Sequence, residues 1–270
     1  MDIGRLIATE DRDVLETWCR RHTQVAYCGQ ERALCRVLGK YLMYVYTKDT
    51  SLAPHLMLNG CWEMWISQAV ARFVKPGMRC VDVGANFGYY TLLLAELVGE
   101  TGHVYALEPH AIIFEHLLRT LDVNGLRSRV YPYPRAASDM RTVGWLDWND
   151  YDYGAAKISN KGMPVEITTI DELIPLSPIE FIKIDAEGHE RQIWTGMQET
   201  LARNPNVTVL MEFNPRDVTD PEQFLVAIQQ AGFRLASVGH DGQIRTNTLS
   251  EALVPDTGPF RMLWLSRGSQ

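Results

Sequence analysis

Only five of the 270 residues are cysteines, and none are spaced C-x-x-C, which excludes a disulfide framework and a thiolate zinc site. Cys19, Cys28, Cys35, Cys61 and Cys80 are therefore expected as reduced, mostly buried small hydrophobes. Positive charge is also scarce. Twenty-six Lys and Arg face 33 Asp and Glu, the net charge is -7, and no basic run is available to neutralise phosphates, so nucleic acid is not an expected partner. No stretch of about 18 apolar residues occurs, so no membrane span is expected. The opening MDIGRLIATEDRD carries charges where a secretory leader needs an apolar run, and the expected location is cytoplasmic. Internal repeats, low-complexity tracts and Gly/Ser linkers are missing too, which argues for one domain with an appendage.

What the chain does have is 46% hydrophobic residues and seven tryptophans, ample for a packed core. From Gly77 onward, short runs of Val, Ile and Leu alternate with longer segments of helical period, the pattern of an α/β fold with a mostly parallel sheet and helices on both faces. Strands are expected at 79–83, 103–107, 129–134, 180–185, 207–213, 233–238 and 260–265. Helices are expected at 90–98, 112–123, 190–201 and 220–231. The two prolines in 129–134 point to an edge strand. Residues 137–170 lack helical period and read as a hairpin or irregular insertion. Residues 1–74 show helical patterns around 14–20 and 32–46 and read as a helical cap on a domain of residues 75–270.

The central motif is Val81-Asp82-Val83-Gly84-Ala85-Asn86-Phe87-Gly88-Tyr89-Tyr90-Thr91, a strand entering a glycine turn and then a helix. Such a turn lies at the carboxyl edge of an open parallel sheet, where a ligand can approach the backbone. Asp82 is placed to receive a cationic group or a backbone amide. Glu108, 24 positions beyond Gly84, ends the next strand and suits a ribose clamp, implying a nucleoside-containing cofactor. Asn86 replaces the middle glycine of G-x-G-x-x-G and no third glycine follows, so a pyrophosphate would be crowded and methyl transfer is favoured over hydride transfer.

The ordered segments DVGANFGYYT, YALEPH, TIDEL, FIKIDAEGHE and VLMEFNP resemble the motifs of the FkbM-type methyltransferase family over about residues 49–215, with Gly60-Cys61-Trp62-Glu63 resembling its upstream glycine, aromatic, glutamate element. The resemblance implies a Rossmann-like class I methyltransferase fold, a seven-stranded sheet with its last strand antiparallel, S-adenosylmethionine as cofactor, and O-methylation of a hydroxyl or carboxyl on a sugar, polyketide or other natural product. It carries the cofactor site onto Asp82, Gly84, Asn86, Gly88, Thr91 and Glu108, with Ala137 and Ser138 near the adenine and Asn124 in support. The family often has a small residue where His189 stands here, which weakens the case for a catalytic histidine.

Side-chain alternation puts Phe181, Lys183 and Asp185 on one face, so Asp185 emerges at the carboxyl edge. Glu187, His189 and Glu212 follow nearby, and the four form the candidate catalytic set for positioning or deprotonating an acceptor. Asp185, Glu187 and Glu212 could also hold a divalent ion such as Mg²⁺. Lys183 reads as a structural ion pair, with Glu212 on the neighbouring strand as its expected partner. Trp62, Trp65, Trp145, Trp148, Tyr151 and Tyr153 are either pocket walls or packing. Alternatives are a nicotinamide-dependent oxidoreductase and a non-catalytic nucleoside-binding module. The partner expected is a small-molecule methyl acceptor, with a homodimer as a further possibility.

Overall fold

The computed structural model describes residue 9 and residues 11–149, 152–174, 178–254 and 260–267. Helix α1 (Arg12–His22) starts where the Asp11 side chain accepts the Asp13 N–H, and it buries Leu15 and Cys19. The next segment corrects the expectation of an all-helical cap. Residues 32–46 form strands, not a helix, and β1 (Val25–Gly29), β2 (Arg32–Val37) and β3 (Tyr41–Tyr46) make an antiparallel sheet in that order. Burial alternates residue by residue along β2, and largely so along β3, which is the strand period. The reversal between them needs left-handed backbone at Leu38 and Gly39, and a Cβ on Gly39 would lie 1.9 Å from the Trp18 ring. Helices α2 (Leu52–Asn59) and α3 (Met64–Phe73) complete the cap. Four of the five cysteines are buried and Cys28 is exposed.

The main domain runs β4 (Arg79–Val83), α4 (Tyr89–Val98), β5 (His103–Leu107), α5 (Ala111–Val123), β6 (Val130–Tyr133), β7 (Arg135–Ala137), β8 (Thr142–Asn149), β9 (Asp152–Ser159), β10 (Met163–Thr168), α6 (Ile170–Leu173), β11 (Phe181–Ile184), α7 (Glu190–Thr195), α8 (Gln198–Arg203), β12 (Thr208–Phe213), α9 (Pro221–Gln230), β13 (Arg234–Val238), β14 (Ile244–Thr246), α10 (Leu249–Ala252) and β15 (Arg261–Ser266). The large sheet has the order β14-β13-β15-β12-β11-β4-β5-β6. Strands β12, β11, β4, β5 and β6 are parallel, and β15 runs antiparallel between β12 and β13. The short β14 adds an eighth strand to the seven expected, at the edge beside β13. One apolar cluster packs α3, α4, α5 and the cap sheet on one face, and a second packs α7, α8 and α9 on the other. The single helix expected at 190–201 is two, because α8 has its own start, where Asp171 accepts the N–H groups of Glu199 and Thr200.

The insertion is regular. Strands β7-β10-β8-β9 form a second sheet, with β7 and β10 parallel and the remaining pairs antiparallel. Buried Asp49 ties it to the cap, accepting from Ala53 N at 2.7 Å, Ser51 Oγ at 3.0 Å and Tyr153 N at 3.3 Å. Asn124 does not belong to the cofactor pocket as expected. Its amide exchanges hydrogen bonds with the Leu42 backbone, at 3.1 and 2.6 Å, and fastens the cap sheet to α5.

Candidate active site

Strands β5 and β6 lie on one side of β4, and β11 and β12 on the other, so the strand order turns back between β4 and β11. That arrangement leaves a crevice outside the carboxyl ends of the strands. A cavity of about 390 Å³ opens there, with residues of β9 forming part of its wall. This volume suits a nucleoside-sized ligand.

The turn after β4 is shaped by its neighbours. Gly84 and Ala85 both donate to the Leu107 carbonyl, at 3.0 and 2.9 Å. Gly84 has φ +74°, and a Cβ there would lie 1.9 Å from the Asp185 carbonyl oxygen, so only glycine fits. Glu108 is held by two backbone amides, with Oε2 accepting from Asn86 N at 2.9 Å and Oε1 from His110 N at 2.8 Å. Burial pushes its carboxyl up to about 7, against the pull of those two amides. A carboxylate oxygen has two lone pairs, so each keeps one for a ligand hydroxyl. Two such acceptors beside a turn that carries no side chain at Gly84 fit the vicinal hydroxyls of a ribose.

Of the residues expected around the cofactor, Gly84, Asn86, Glu108 and Ala137 line the cavity. Asp82, Gly88, Thr91 and Ser138 do not. Asp82 pairs in register with Lys183, and side-chain alternation turns both toward α4. Its Oδ2 accepts from Thr91 Oγ1 at 2.6 Å, its Oδ1 lies 3.8 Å from Lys183 Nζ, and the residue is fully buried. The expectation of a ligand-facing Asp82 is thus corrected by its position beneath the turn.

Asp185, Glu187, His189 and Glu212 all line the cavity. The expected Lys183–Glu212 pair is replaced by Lys183–Asp185, at 3.1 Å, because Lys183 registers with Leu210 and Glu212 falls beside Asp185. Burial would raise the Asp185 carboxyl, but the Lys183 ammonium and a hydrogen bond from Glu212 outweigh it and hold Asp185 ionised. Burial and the Asp185 charge drive Glu212 the other way, well above the usual carboxylate range, so Glu212 carries the shared proton. Glu187, with left-handed φ 54°, is raised to about 8 by burial and then by Asp185. The turn is braced by Glu190, whose Oε1 accepts from Ala186 N and Gly188 N. His189 Nε2 lies 2.8 Å from Ser138 Oγ, and burial lowers its imidazole. Asp185, Glu187 and Glu212 offer oxygens within 4.8 Å of one another. Lys183 already supplies Asp185 with a cation at 3.1 Å, so a divalent ion here would have to share that carboxylate with the ammonium.

Sequence reasoning missed part of the wall. Tyr90, whose hydroxyl donates to Glu63 Oε2 at 2.9 Å, and Ser51 and Gly154 from the cap and β9 all line the cavity. The adjacent tyrosines after the glycine turn were the available signal for Tyr90. Of the aromatics, Trp62 and Tyr153 line the cavity, Trp65 packs on His240, and Trp148 meets the buried His110 edge-on. Trp145 is exposed. Tyr151 lies outside the described residues.

A doubly wound sheet with an antiparallel strand inserted near one end, and a paired-hydroxyl clamp beside a glycine turn, define the S-adenosylmethionine-dependent class I methyltransferases. Within that class the chain belongs to the Methyltransferase FkbM domain family, whose sequence profile matches residues 82–235. Methyl transfer therefore displaces the nicotinamide reading. A protein-L-isoaspartate O-methyltransferase of Methanothrix thermoacetophila is 31% identical over 116 residues, covering 43% of this chain and 49% of that protein. One from Aeropyrum pernix is 43% identical over 56 residues, covering 21% and 22%. The chain thus matches about half the length of the first of these relatives and less of the second. The structure of methyltransferase FkbM from Methylobacillus flagellatus superposes with a TM-score of 0.50 at 15% identity, over 78% of this chain and 52% of that one, a likeness of fold.

Proposed function

We propose that the chain is an S-adenosylmethionine-dependent O-methyltransferase acting on a hydroxyl of a small natural product or sugar-containing metabolite. The observation that carries this is the Asp185 carboxyl at the cavity wall, 3.1 Å from the Lys183 ammonium and flanked by Glu187 and Glu212. A neutral hydroxyl can donate to Asp185 and lose its proton there as the bond to carbon forms. An acceptor that is itself a carboxylate would face the charge of Asp185, so hydroxyl is favoured over carboxyl.

The bound cofactor supplies an electrophilic methyl group. The chain's own residues do the rest. Glu108 takes the ribose hydroxyls, Gly84 lets the backbone approach, and Asp185 orients the acceptor oxygen for in-line attack. Tyr153 and Gly154 form part of the cavity wall. The small-molecule acceptor and a cytoplasmic location belong to the same reading. Among the described residues, no helix is long and apolar enough to cross a membrane.

The test pairs calorimetric binding of S-adenosylhomocysteine with transfer of a labelled methyl group to a panel of hydroxylated and carboxylated small molecules. Binding with label on hydroxyls is expected, and Asp185→Asn should keep the binding while slowing transfer about a hundredfold or more. No binding, or label on carboxyls alone, would overturn the proposal.

A further inference from the structure

With Asp82 sealed beneath the turn, the far wall of the cavity offers a different carboxylate to a cationic ligand. Glu63 begins α3 with φ 39° and ψ 61°, a left-handed conformation that is strained for a residue with a side chain. Its carbonyl starts the helix, accepting from Ile66 N at 2.9 Å and Ser67 N at 3.0 Å, and its side chain makes no capping bond. That side chain turns into the cavity, where Tyr90 Oη donates to Oε2. The Tyr90 ring in turn lies 4.8 Å from Lys183 Nζ.

Lys183 belongs to β11, so Tyr90 and Glu63 stand on the β11 side of β4, whereas Glu108 stands on the β5 side. A ligand held at Glu108 by its ribose reaches that wall after two strand spacings, about 10 Å, the direction in which an amino-acid tail would extend. Three acids stand near this end, and two of them, Asp82 and Asp185, share the single lysine. Among the described residues, Glu63 forms no ion pair. Against the pull of the Tyr90 hydrogen bond and the Lys183 ammonium, burial and then the nearby Asp185 charge raise its carboxyl to about 7. A cationic ligand would relieve both.

We infer that Glu63, and not Asp82, receives the α-ammonium group of the cofactor's methionine tail. The inference rests on the methyltransferase reading of the cavity. Asp185 already has a counter-charge in Lys183, at 3.1 Å, and serves the acceptor hydroxyl instead.

The test is calorimetry on the wild-type chain and on Glu63→Gln, with S-adenosylhomocysteine and with its deamino analogue, which lacks only the ammonium group. Glutamine keeps the volume and an acceptor for Tyr90, and thermal melting checks that the variant is folded. The wild type should prefer the amino compound by about tenfold to a hundredfold, and Glu63→Gln should bind the two about equally. A variant that keeps the wild-type preference, or loses affinity equally for both ligands, overturns the assignment. So does an Asp185→Asn chain that erases the preference while Glu63→Gln retains it. If the wild type binds neither compound, the methyltransferase reading itself fails, an outcome distinct from all of these.

Discussion

Lys183 Nζ lies 3.1 Å from Asp185 Oδ2 and 3.8 Å from Asp82 Oδ1, so one ammonium is shared between a carboxylate that faces the cavity and one sealed in the core. The strand register makes this sharing unavoidable, since Asp82 and Lys183 are partners on adjacent parallel strands and Asp185 is two residues further on the same face. Fold stability and the charge of the candidate base are therefore linked through one side chain.

Lys183→Met should cost about 3–5 kcal/mol, because it strands Asp82, whose side chain is 0% exposed, without a counter-charge. Adding Asp82→Asn should restore most of that loss. Urea denaturation of the wild type and the two variants is the measurement, and a single-variant cost below about 1 kcal/mol would show that the pair is unimportant.

Gly84→Ala should destabilise the chain by about 1–3 kcal/mol and abolish S-adenosylhomocysteine binding. The atom in the way is a backbone oxygen of the neighbouring strand, 1.9 Å from the new Cβ, which cannot swing aside as a side chain would. Thermal melting and calorimetry read the two effects. An alanine chain that binds normally would mean the turn adjusts freely.

The pH dependence has a definite sign. Glu63 and Glu108 are both raised to about 7 from 4.5, so the folded ligand-free chain holds protons that the unfolded chain releases. Their contribution to stability is full below pH 4.5 and is lost as pH rises through about 7. Ligand binding has the opposite trend, because a cation and ribose hydroxyls call for ionised carboxylates. Affinity for S-adenosylhomocysteine should rise between about pH 6 and about pH 8 and then level off. Calorimetry across that range checks it, and affinity that falls with rising pH would contradict the assigned carboxylates.

Asp49→Ala should loosen the second sheet without unfolding the large one. Three donors, Ala53 N, Ser51 Oγ and Tyr153 N, converge on this buried carboxylate, and removing it orphans them at a cost of about 1–3 kcal/mol. Hydrogen exchange should speed up in β8 and β9 while β4 and β5 stay protected. Uniform acceleration would show that the two sheets unfold as one.

The glycine turn, Glu108 and the positions of the large-sheet strands along the chain were legible because each is a local pattern, a short apolar run that stops at a small or acidic residue. The cap sheet was not. Residues 41–46 are apolar or aromatic almost throughout, so their period is ambiguous, and they become a strand because they lie against α5 and pair with β2. The parallel pairing of β7 with β10 joins residues far apart in the chain, which local pattern cannot reveal. Asp82 was visible as a carboxylate near a strand tip, but whether it faced the cavity or the core depended on its register with Lys183, fixed only when the sheet assembled.

The outer strand β6 carries its own safeguard. Arg129 and Tyr133 turn their carbonyls toward β5, so Val130 and Pro132 present their backbone groups outward. Pro132 has no N–H to offer, and a strand from another molecule laid along this margin would find a donor missing at its centre. This border of the large sheet is in this way a poor template for a further strand.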